Sequence, residues 1–450
     1  MGKVFYDLFL AGIVSWFVIV WFSFAFIMWH RRHIAKKLER IEFEAESARR
    51  RMRVEHGENL FEVTTLVTCA KEDPVVFELA MAKLRAQKGL HKHAIIVMMD
   101  AFEKPSTDDL RCLEVALKYA DVVYKTNVCD KRENLKNLMA IAREKGLLYR
   151  LAAPMDSDTV CDHDWVVAYL ADAFIDPKVG GATTAQRCLK VETYPERIGD
   201  WLENARLKSS MAAGSYYGQV GCLPGRLYMV LTEIIEERIK ELPEEVWTGI
   251  RPCRKFPFFE RWEAKCKAGD DRQITNYILE AGYRTVLILP AGVKTLVPDT
   301  WDKLWKTWRR WGTSSQGYVY RTLPWLWRKP FVLWHYTTDI YISHASVGLI
   351  LSWFYALFFS QDVLLVPLSV ILALSFGGVM LTFTIRQWPH LKENPRDFLI
   401  LPLFVAVVSY AQFVRVQAHW TPWRIGVWGT REGVDEEVKN TFVVEVTTPA

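Results

Sequence analysis

Four short strings, far apart along the chain, carry residue types that make chemical sense as one set. Met155-Asp156-Ser157-Asp158 spaces two carboxylates so that one can face a divalent cation while the other orients a ribose or a neighbouring loop. Hard oxygen ligands and a pyrophosphate suit Mg2+ or Mn2+. Gly269-Asp270-Asp271-Arg272 adds a second acidic pair, and a carboxylate there can take a proton from an attacking hydroxyl. Gly221-Cys222-Leu223-Pro224-Gly225-Arg226 has a backbone that a ligand can approach closely. Trp428-Gly429-Thr430-Arg431 ends in a guanidinium suited to clamping a pyrophosphate. Taken singly, each string is ordinary. Asp-x-Asp is common in loops, and acidic residues favour a helix N-terminus through the dipole alone. Cys222 could be a nucleophile, but no partnered His follows it, which favours a small residue lining an acceptor pocket.

Elements that could hold these groups alternate along the chain. Val63–Cys69 is a β-branched run followed by the turn Lys71-Glu72-Asp73-Pro74 and a helical stretch through Val76, Leu79 and Leu84. Ala94–Met99 reads as a second strand ending at Asp100, Asp121–Lys125 as a third, and Leu148–Ala152 as a fourth that runs into Met155–Thr159. Such alternation predicts an α/β domain with a mostly parallel sheet and helices on its faces. Ligands in such sheets sit outside the carboxyl ends of the strands, where Asp100, Asp156 and Asp158 fall. Asp270 and Asp271 precede a helical stretch, Ile274–Ala281. No G-x-G-x-x-G or Walker sequence is present, which argues against a dinucleotide enzyme or an ATPase. Trp308, Arg309, Arg310 and Trp311 form an aromatic and basic cluster: indole faces suit a sugar's C–H surface, and Arg suits diphosphate oxygens. A membrane-interface belt is the competing reading of the outer tryptophans.

The 450 residues are 50% hydrophobic, and the apolar ones are unevenly spread. Leu8 to Trp29 is an uncharged run of 22 residues, enough to cross ~30 Å of hydrocarbon. Ile340–Ser360 and Val363–Ile385 are two more such runs. Nine Lys/Arg against four Glu between Arg31 and Arg53 put the N-terminus outside and the soluble domain in the cytoplasm. That basic run fits anionic lipid headgroups better than nucleic acid. Eight Cys without a C-x-x-C pair argue against zinc sites and structural disulfides. Phe398–Val414 is short for a span and contains Pro402, so it is expected to be re-entrant or interfacial, returning the tail to the cytoplasm. A simple further span with an external tail is the alternative. Leu323–Asp339, rich in Trp and basic residues, reads as interfacial, and Asp200–Ala213 fits either an interfacial helix or core packing. The expected layout is a transmembrane anchor at 1–30 and a basic juxtamembrane helix at 31–60. A cytoplasmic domain follows at 61–311, an interfacial region at 312–339, a transmembrane or re-entrant bundle at 340–420, and a cytoplasmic tail at 421–450.

The strings, with Lys71–Pro74, Asp100, Lys131-Arg132, Gly180–Gln186 and Arg310-Trp311, resemble the processive family-2 glycosyltransferases, the group of the hyaluronan synthases and type 3 capsular polysaccharide synthases. The resemblance runs from about Val63 to Arg431. It implies a GT-A type nucleotide-sugar-binding domain between an N-terminal transmembrane helix and a C-terminal bundle. It also implies an inverting transfer from UDP-sugars, with the growing polysaccharide threaded out through the plasma membrane. By the same resemblance Asp271 is the base with Asp270 shaping the site, and Asp158 with Asp156 holds Mg2+ or Mn2+. Donor contacts would come from Glu72, Asp100, Lys131, Arg132, Asp156, Arg310, Trp428 and Arg431, and acceptor contacts from Cys222, Pro224, Gly225, Arg226 and Trp311. UDP-glucuronate, paired with UDP-glucose or UDP-N-acetylglucosamine, is the implied donor set, with membrane lipid as the surroundings and no nucleic acid. The family's Q-x-x-R-W departs here, because Thr307 stands where the Gln would be. A non-processive transferase acting on a lipid-linked acceptor, or a membrane scaffold with a degenerate nucleotide fold, are the alternatives.

Overall fold

The computed structural model describes residues 18–41, 61–100, 105–128, 130–252, 259–266, 269–359, 378, 382, 385–426 and 443–446. The strands are β1 (Glu62–Cys69), β2 (Lys92–Asp100), β3 (Val122–Thr126), β4 (Leu151–Asp156), β5 (Val160–Cys161), β6 (Val179–Cys188), β7 (Tyr228–Leu231), β8 (Val246–Pro252), β9 (Phe259–Lys265), β10 (Arg284–Thr295) and β11 (Val443–Val446). Nine of them form one sheet in the order β11-β3-β2-β1-β4-β7-β6-β10-β5, while β8 and β9 make a separate hairpin. The pairs β1–β2, β1–β4, β2–β3 and β6–β10 are parallel. Antiparallel β7 bridges β4 and β6, so the sheet is mixed but mostly parallel.

Both faces are covered, which is why β1 and β2 read as near-continuous apolar runs. Helices α1 (residues 18–41), α2 (Pro74–Arg85), α3 (Thr107–Tyr119), α4 (Lys131–Glu144) and α5 (Val166–Asp172) are followed by α6 (Tyr194–Arg206), α7 (Ala212–Tyr216), α8 (Thr232–Glu236) and α9 (Asp270–Glu280). On one face Phe77, Met81 and Leu84 of α2 and Cys112 and Val115 of α3 pack on Val63, Val67 and Ile95. On the other, Leu135 and Leu138 of α4 and Ile274 and Ile278 of α9 pack on Leu66, Ile96 and Met98. The fourth strand starts at Leu151 rather than Leu148. The amides of Leu147 and Leu148 instead close the end of α4 by donating to the Ala142 carbonyl at 2.8 and 2.9 Å.

The C-terminal region is helical. Helix α10 (Trp301–Leu326) is continuous through residue 311, and α11 (Pro330–Phe359) is continuous through residue 339, so the expected layout boundaries fall inside helices. The break comes at residues 327–329, next to Pro330. A helical piece at 385–393 precedes α12 (Leu401–Trp420), which has Pro402 in its first turn, where a missing N–H costs nothing. Among the described residues, one helix, Pro395–Trp420, is long and apolar enough to cross a membrane by length and composition. Of the expected spans, Leu8–Phe17 of the Leu8–Trp29 run and all of Val363–Ile385 except residues 378, 382 and 385 lie outside the described residues.

Two contacts tie this region to the sheet domain. Trp201 of α6 is fully buried, stacked on Phe404 of α12 at 4.0 Å and on His390 at 4.9 Å. Asp200–Ala213 is therefore a packed helix, continued through a π-turn at Leu207–Met211. Far along the chain, β11 adds antiparallel to the edge strand β3, with Val443 opposite Thr126 and Val446 opposite Val123.

Candidate active site

The carboxyl ends of β1, β2 and β4 meet, and each delivers an acidic residue or a turn carrying one. Parallel register sets Thr68 of β1 opposite Asp156 of β4 and Cys69 opposite Met99, next to Asp100. Asp100 accepts from Asn134 Nδ2 at 3.3 Å. Ser157 Oγ donates to Glu72 Oε1 at 2.9 Å, joining the turn after β1 to the Asp-x-Asp string. Burial, then the charges of Asp156 and Glu72, push the Asp158 carboxyl up to about 7. This is the electrostatic sign of crowded carboxylates in an enclosed site, which a cation would relieve. Among the described residues no three His, Cys, Asp or Glu side chains gather as a ready-made metal cage. One or two carboxylates completed by phosphate oxygens fit a hard divalent cation without one.

Lys131, the first residue of α4, lies between the two acidic strings. Its Nζ is 2.6 Å from Asp156 Oδ1 and 3.3 Å from Asp270 Oδ2. Burial works against the ammonium, but Asp156 and Asp270 outweigh it and hold its pKa above the ordinary lysine value. Gly225 lies close beside it: a Cβ there would sit 3.0 Å from Lys131 Nζ and 3.5 Å from Asp156 Oδ2, so a side chain would crowd the pair.

The second acidic pair opens α9. Gly269 has φ +79, and a Cβ at that position would run into Ser314 and Tyr318 of α10, so α9 starts hard against α10. Asp270 is buried, and although burial pushes its pKa up, Lys131 and Arg132 bring it below the usual aspartate value. Asp271 goes the other way, raised by burial and then by the Asp270 charge. Two neighbouring carboxylates are thus driven apart in pKa, the pattern that separates a permanently ionised group from a proton acceptor. Asp271 accepts from the Arg272 amide at 2.7 Å and the Gly225 amide at 3.2 Å. Thr275 fastens the same helical turn to the glycine loop by accepting from the Leu223 amide at 2.9 Å and donating to the Asp271 carbonyl at 2.7 Å.

Cys222 Sγ is 3.6 Å from Asp271 Oδ2. Burial and that carboxylate push its thiol up to about 12, so it remains protonated and a poor nucleophile. Arg226 donates to Gln186 at 3.2 Å and Glu203 at 3.1 Å, anchoring the loop to β6 and α6. One cavity of about 590 Å³ takes in the expected donor residues Glu72, Asp100, Lys131, Asp156, Asp158 and Arg310. The acidic pair and the expected acceptor residues Cys222, Pro224, Gly225, Arg226 and Trp311 line it as well.

Arg132 is not brought there. It is fully buried, pairs with Glu245 Oε2 at 2.8 Å, donates to the Leu242 carbonyl at 2.8 Å and bonds Tyr318. Its position one residue after Lys131 on α4 turns it about 100° around the helix start, toward Glu245 before the hairpin and Tyr318 of α10. Thr307 is half-buried on α10 and is not among the cavity-lining residues. Trp428 and Arg431 lie outside the described residues.

Sequence reasoning missed the far end of the cavity. It continues past Arg272 and Tyr336 to Arg31 of α1, Asp339 of α11, Arg386, and Gln412 and Arg415 of α12. Tyr336 OH donates to the Gly221 carbonyl at 3.2 Å and accepts from Arg272 at 2.9 Å, so α11 touches the glycine loop and α9 together. Arg31 Nη2 binds Asp339 Oδ1 at 2.9 Å and Thr338 Oγ1 at 2.6 Å. A charge at the very end of the first apolar run and a lone Asp amid apolar sequence were the available signals.

Residues 61–314 match the family model described as "Glycosyltransferase like family 2". An N-acetylglucosaminyltransferase of Rhizobium leguminosarum bv. viciae is 25% identical over 328 residues, 72% of this chain and 68% of the relative. Hyaluronan synthase 3 of Homo sapiens is 25% identical over 193 residues, 43% of this chain and 31% of that protein, so the match spans under a third of the synthase. Among solved structures, a mannosyltransferase from Pyrobaculum calidifontis in complex with GDP-Man and Mn2+ superposes with a TM-score of 0.48 at 15% identity, covering 87% of this chain and 98% of that one.

Proposed function

The chain belongs to glycosyltransferase family 2, and on that premise we propose that it is a membrane-embedded, processive, inverting polysaccharide synthase. It uses UDP-sugars to build a β-linked, glucuronate-containing polymer and secretes it through its own helices. The observation that carries this reading is the single cavity joining Asp156 and Asp158 to Asp271 and onward to Arg31, Gln412 and Arg415 between helices. A transferase that released its product to the solvent would have no use for that extension.

The donor's uridine and diphosphate lie at the carboxyl ends of β1, β2 and β4, with Asp100 and Glu72 on the nucleoside side. Asp158, with Asp156, would hold Mg2+ or Mn2+, which neutralises the charge developing on the leaving diphosphate. Lys131 faces the same region and keeps its proton, so it adds a fixed positive charge. The acceptor sugar stacks on Trp311, its hydroxyl near Asp271. Asp271 takes the hydroxyl proton as the oxygen forms its bond to the donor's anomeric carbon. The bond from that carbon to the phosphate oxygen breaks on the opposite face, UDP leaves, and the configuration inverts. Asp270 stays ionised on Lys131 and keeps the Asp271 pKa high. Trp428 and Arg431 close on the diphosphate from the tail.

The pairing of β11 with β3 supports a topology in which the tail and the nucleotide domain share one side of the membrane. With an external N-terminus, that side is the cytoplasm and the chain is multi-pass in the plasma membrane. Relatives named for N-acetylglucosaminyl transfer and hyaluronan synthesis support UDP-N-acetylglucosamine as one donor, with UDP-glucose as the other partner to test against UDP-glucuronate.

The test is incorporation of labelled UDP-sugars by the purified protein in lipid with Mn2+ or Mg2+, each donor alone and in pairs, with product size read on a gel. High-mass product from one pair is the expected result. Short lipid-linked product would instead establish a single-sugar transferase.

A further inference from the structure

The far end of the cavity has a charge balance that neutral sugars do not explain. Arg31, Arg386 and Arg415 line it with one carboxylate, Asp339. Arg31 is only 4% exposed and its guanidinium is engaged by Asp339 at 2.9 Å and Thr338 at 2.6 Å. His335 Nε2 adds a 3.6 Å approach to the same carboxylate. Among the described residues, Arg386 and Arg415 make no hydrogen bond or ion pair. The remaining acidic groups of the cavity are Glu72, Asp100, Asp156, Asp158, Glu203, Asp270 and Asp271, and none of them pairs with Arg386 or Arg415: Glu72 is bonded by Ser157, Asp100 by Asn134, Glu203 by Arg206 and Arg226, and Asp156 and Asp270 by Lys131. Among the described residues, the helical end therefore carries a surplus of two positive charges in a partly enclosed space.

An uncompensated guanidinium away from bulk water is costly, and a planar carboxylate is the partner its forked donors fit best. The four charged groups come from four separate segments, α1, α11, residues 385–393 and α12, and all line the one cavity. They line the same cavity as Trp311 and Tyr336 but come from helical segments rather than from the strand ends that carry Asp100, Asp156 and Asp158, and on the reading above an elongating acceptor chain passes among those helices. Resting on the polymerase reading above, we propose that Arg386 and Arg415 form a second carbohydrate subsite that binds the carboxylate of an acidic sugar in the departing chain, with the Arg31–Asp339 pair holding the helices around it. Polymer charge is thereby read after transfer as well as at the donor, and chains without carboxylates are held less firmly at this station.

The test measures binding without turnover, in nanodiscs of neutral phosphatidylcholine. The two probes are a tetrasaccharide of alternating glucuronate and N-acetylglucosamine, and the same tetrasaccharide with its carboxyls reduced to alcohols. Wild type is expected to bind the acidic probe about tenfold more tightly, a discrimination of the size one charge-assisted pair provides. The double variant Arg386→Gln/Arg415→Gln should lose the difference, and Arg386→Lys/Arg415→Lys should keep part of it, which separates lost charge from lost folding. Equal binding of the two probes by wild type would overturn the proposal. So would an acidic-probe preference that survives the Gln variant. If anionic phosphatidylglycerol in the nanodisc abolishes the preference at equimolar probe, the subsite belongs to a lipid phosphate and the proposal also fails. Failure of the synthase reading would show separately, as no polymer from any UDP-sugar pair, and would leave the probe comparison intact.

Discussion

Asp270 and Asp271 are adjacent on one helical turn, yet their neighbours drive them in opposite directions. Asp270 has Lys131 at 3.3 Å, whereas Asp271 is raised by burial and then by the Asp270 charge. A base must be ionised to work, so with Asp271 as the proposed base activity should be present above its pKa and lost as the pH falls through it. Because that pKa is raised, the acid limb of kcat/KM is expected above the ordinary aspartate value. Asp270→Asn removes the repelling charge and leaves Lys131, so the limb should move to lower pH even as the rate drops. Asp271→Asn should cut transfer by about 10²- to 10⁴-fold while UDP binding in Mn2+ stays near wild type. A pH profile and a UDP titration on the two variants check both statements, and wild-type turnover in Asp271→Asn would remove the base assignment.

At the scale of elements, the site depends on contacts between parts that the sequence keeps far apart. Arg132, Glu245 and Tyr318 join α4, the start of the β8–β9 hairpin and α10 through a fully buried ion pair. Breaking one member leaves a buried charge unpaired, so Glu245→Gln should destabilise the protein by about 3–5 kcal/mol, read as a lower Tm. Donor affinity should then fall only through misplacement of α4 and its Lys131. A direct role of Arg132 at the diphosphate would instead show as a large loss of UDP affinity in Arg132→Lys with little change in Tm. Trp201 does similar work between the sheet domain and the helical region, where it is sandwiched between His390 and Phe404.

For the whole molecule, the proposed membrane arrangement turns on which side of the bilayer holds the tail. Strand β11 on β3, with Glu445 2.6 Å from Lys145 and 3.1 Å from Tyr124 OH, places residues 443–446 against the nucleotide domain. A cysteine in place of Asn440 should therefore resist a membrane-impermeant thiol reagent added outside intact cells and react once the membrane is opened. Reaction in intact cells would refute a shared side and return α12 to a simple span with an external tail.

Local chemistry was legible in the chain itself. Strand alternation, strand-end acids and the Gly269-Asp270-Asp271-Arg272 string are short-range patterns whose physics needs only neighbours in sequence. Those patterns located the sheet, the ends of β1, β2 and β4, and ten or so residues that line one cavity. The tertiary structure alone decided three things. Lys131 and Arg132 are consecutive, yet one reaches Asp156 and the other Glu245, because a helix start turns successive side chains to different sides. Trp201 became core rather than membrane interface once α12 arrived to cover it. Finally, Arg31, Asp339, Arg386 and Arg415 share a cavity only because four helices separated by up to hundreds of residues pack together, and no local pattern encodes a contact of that range.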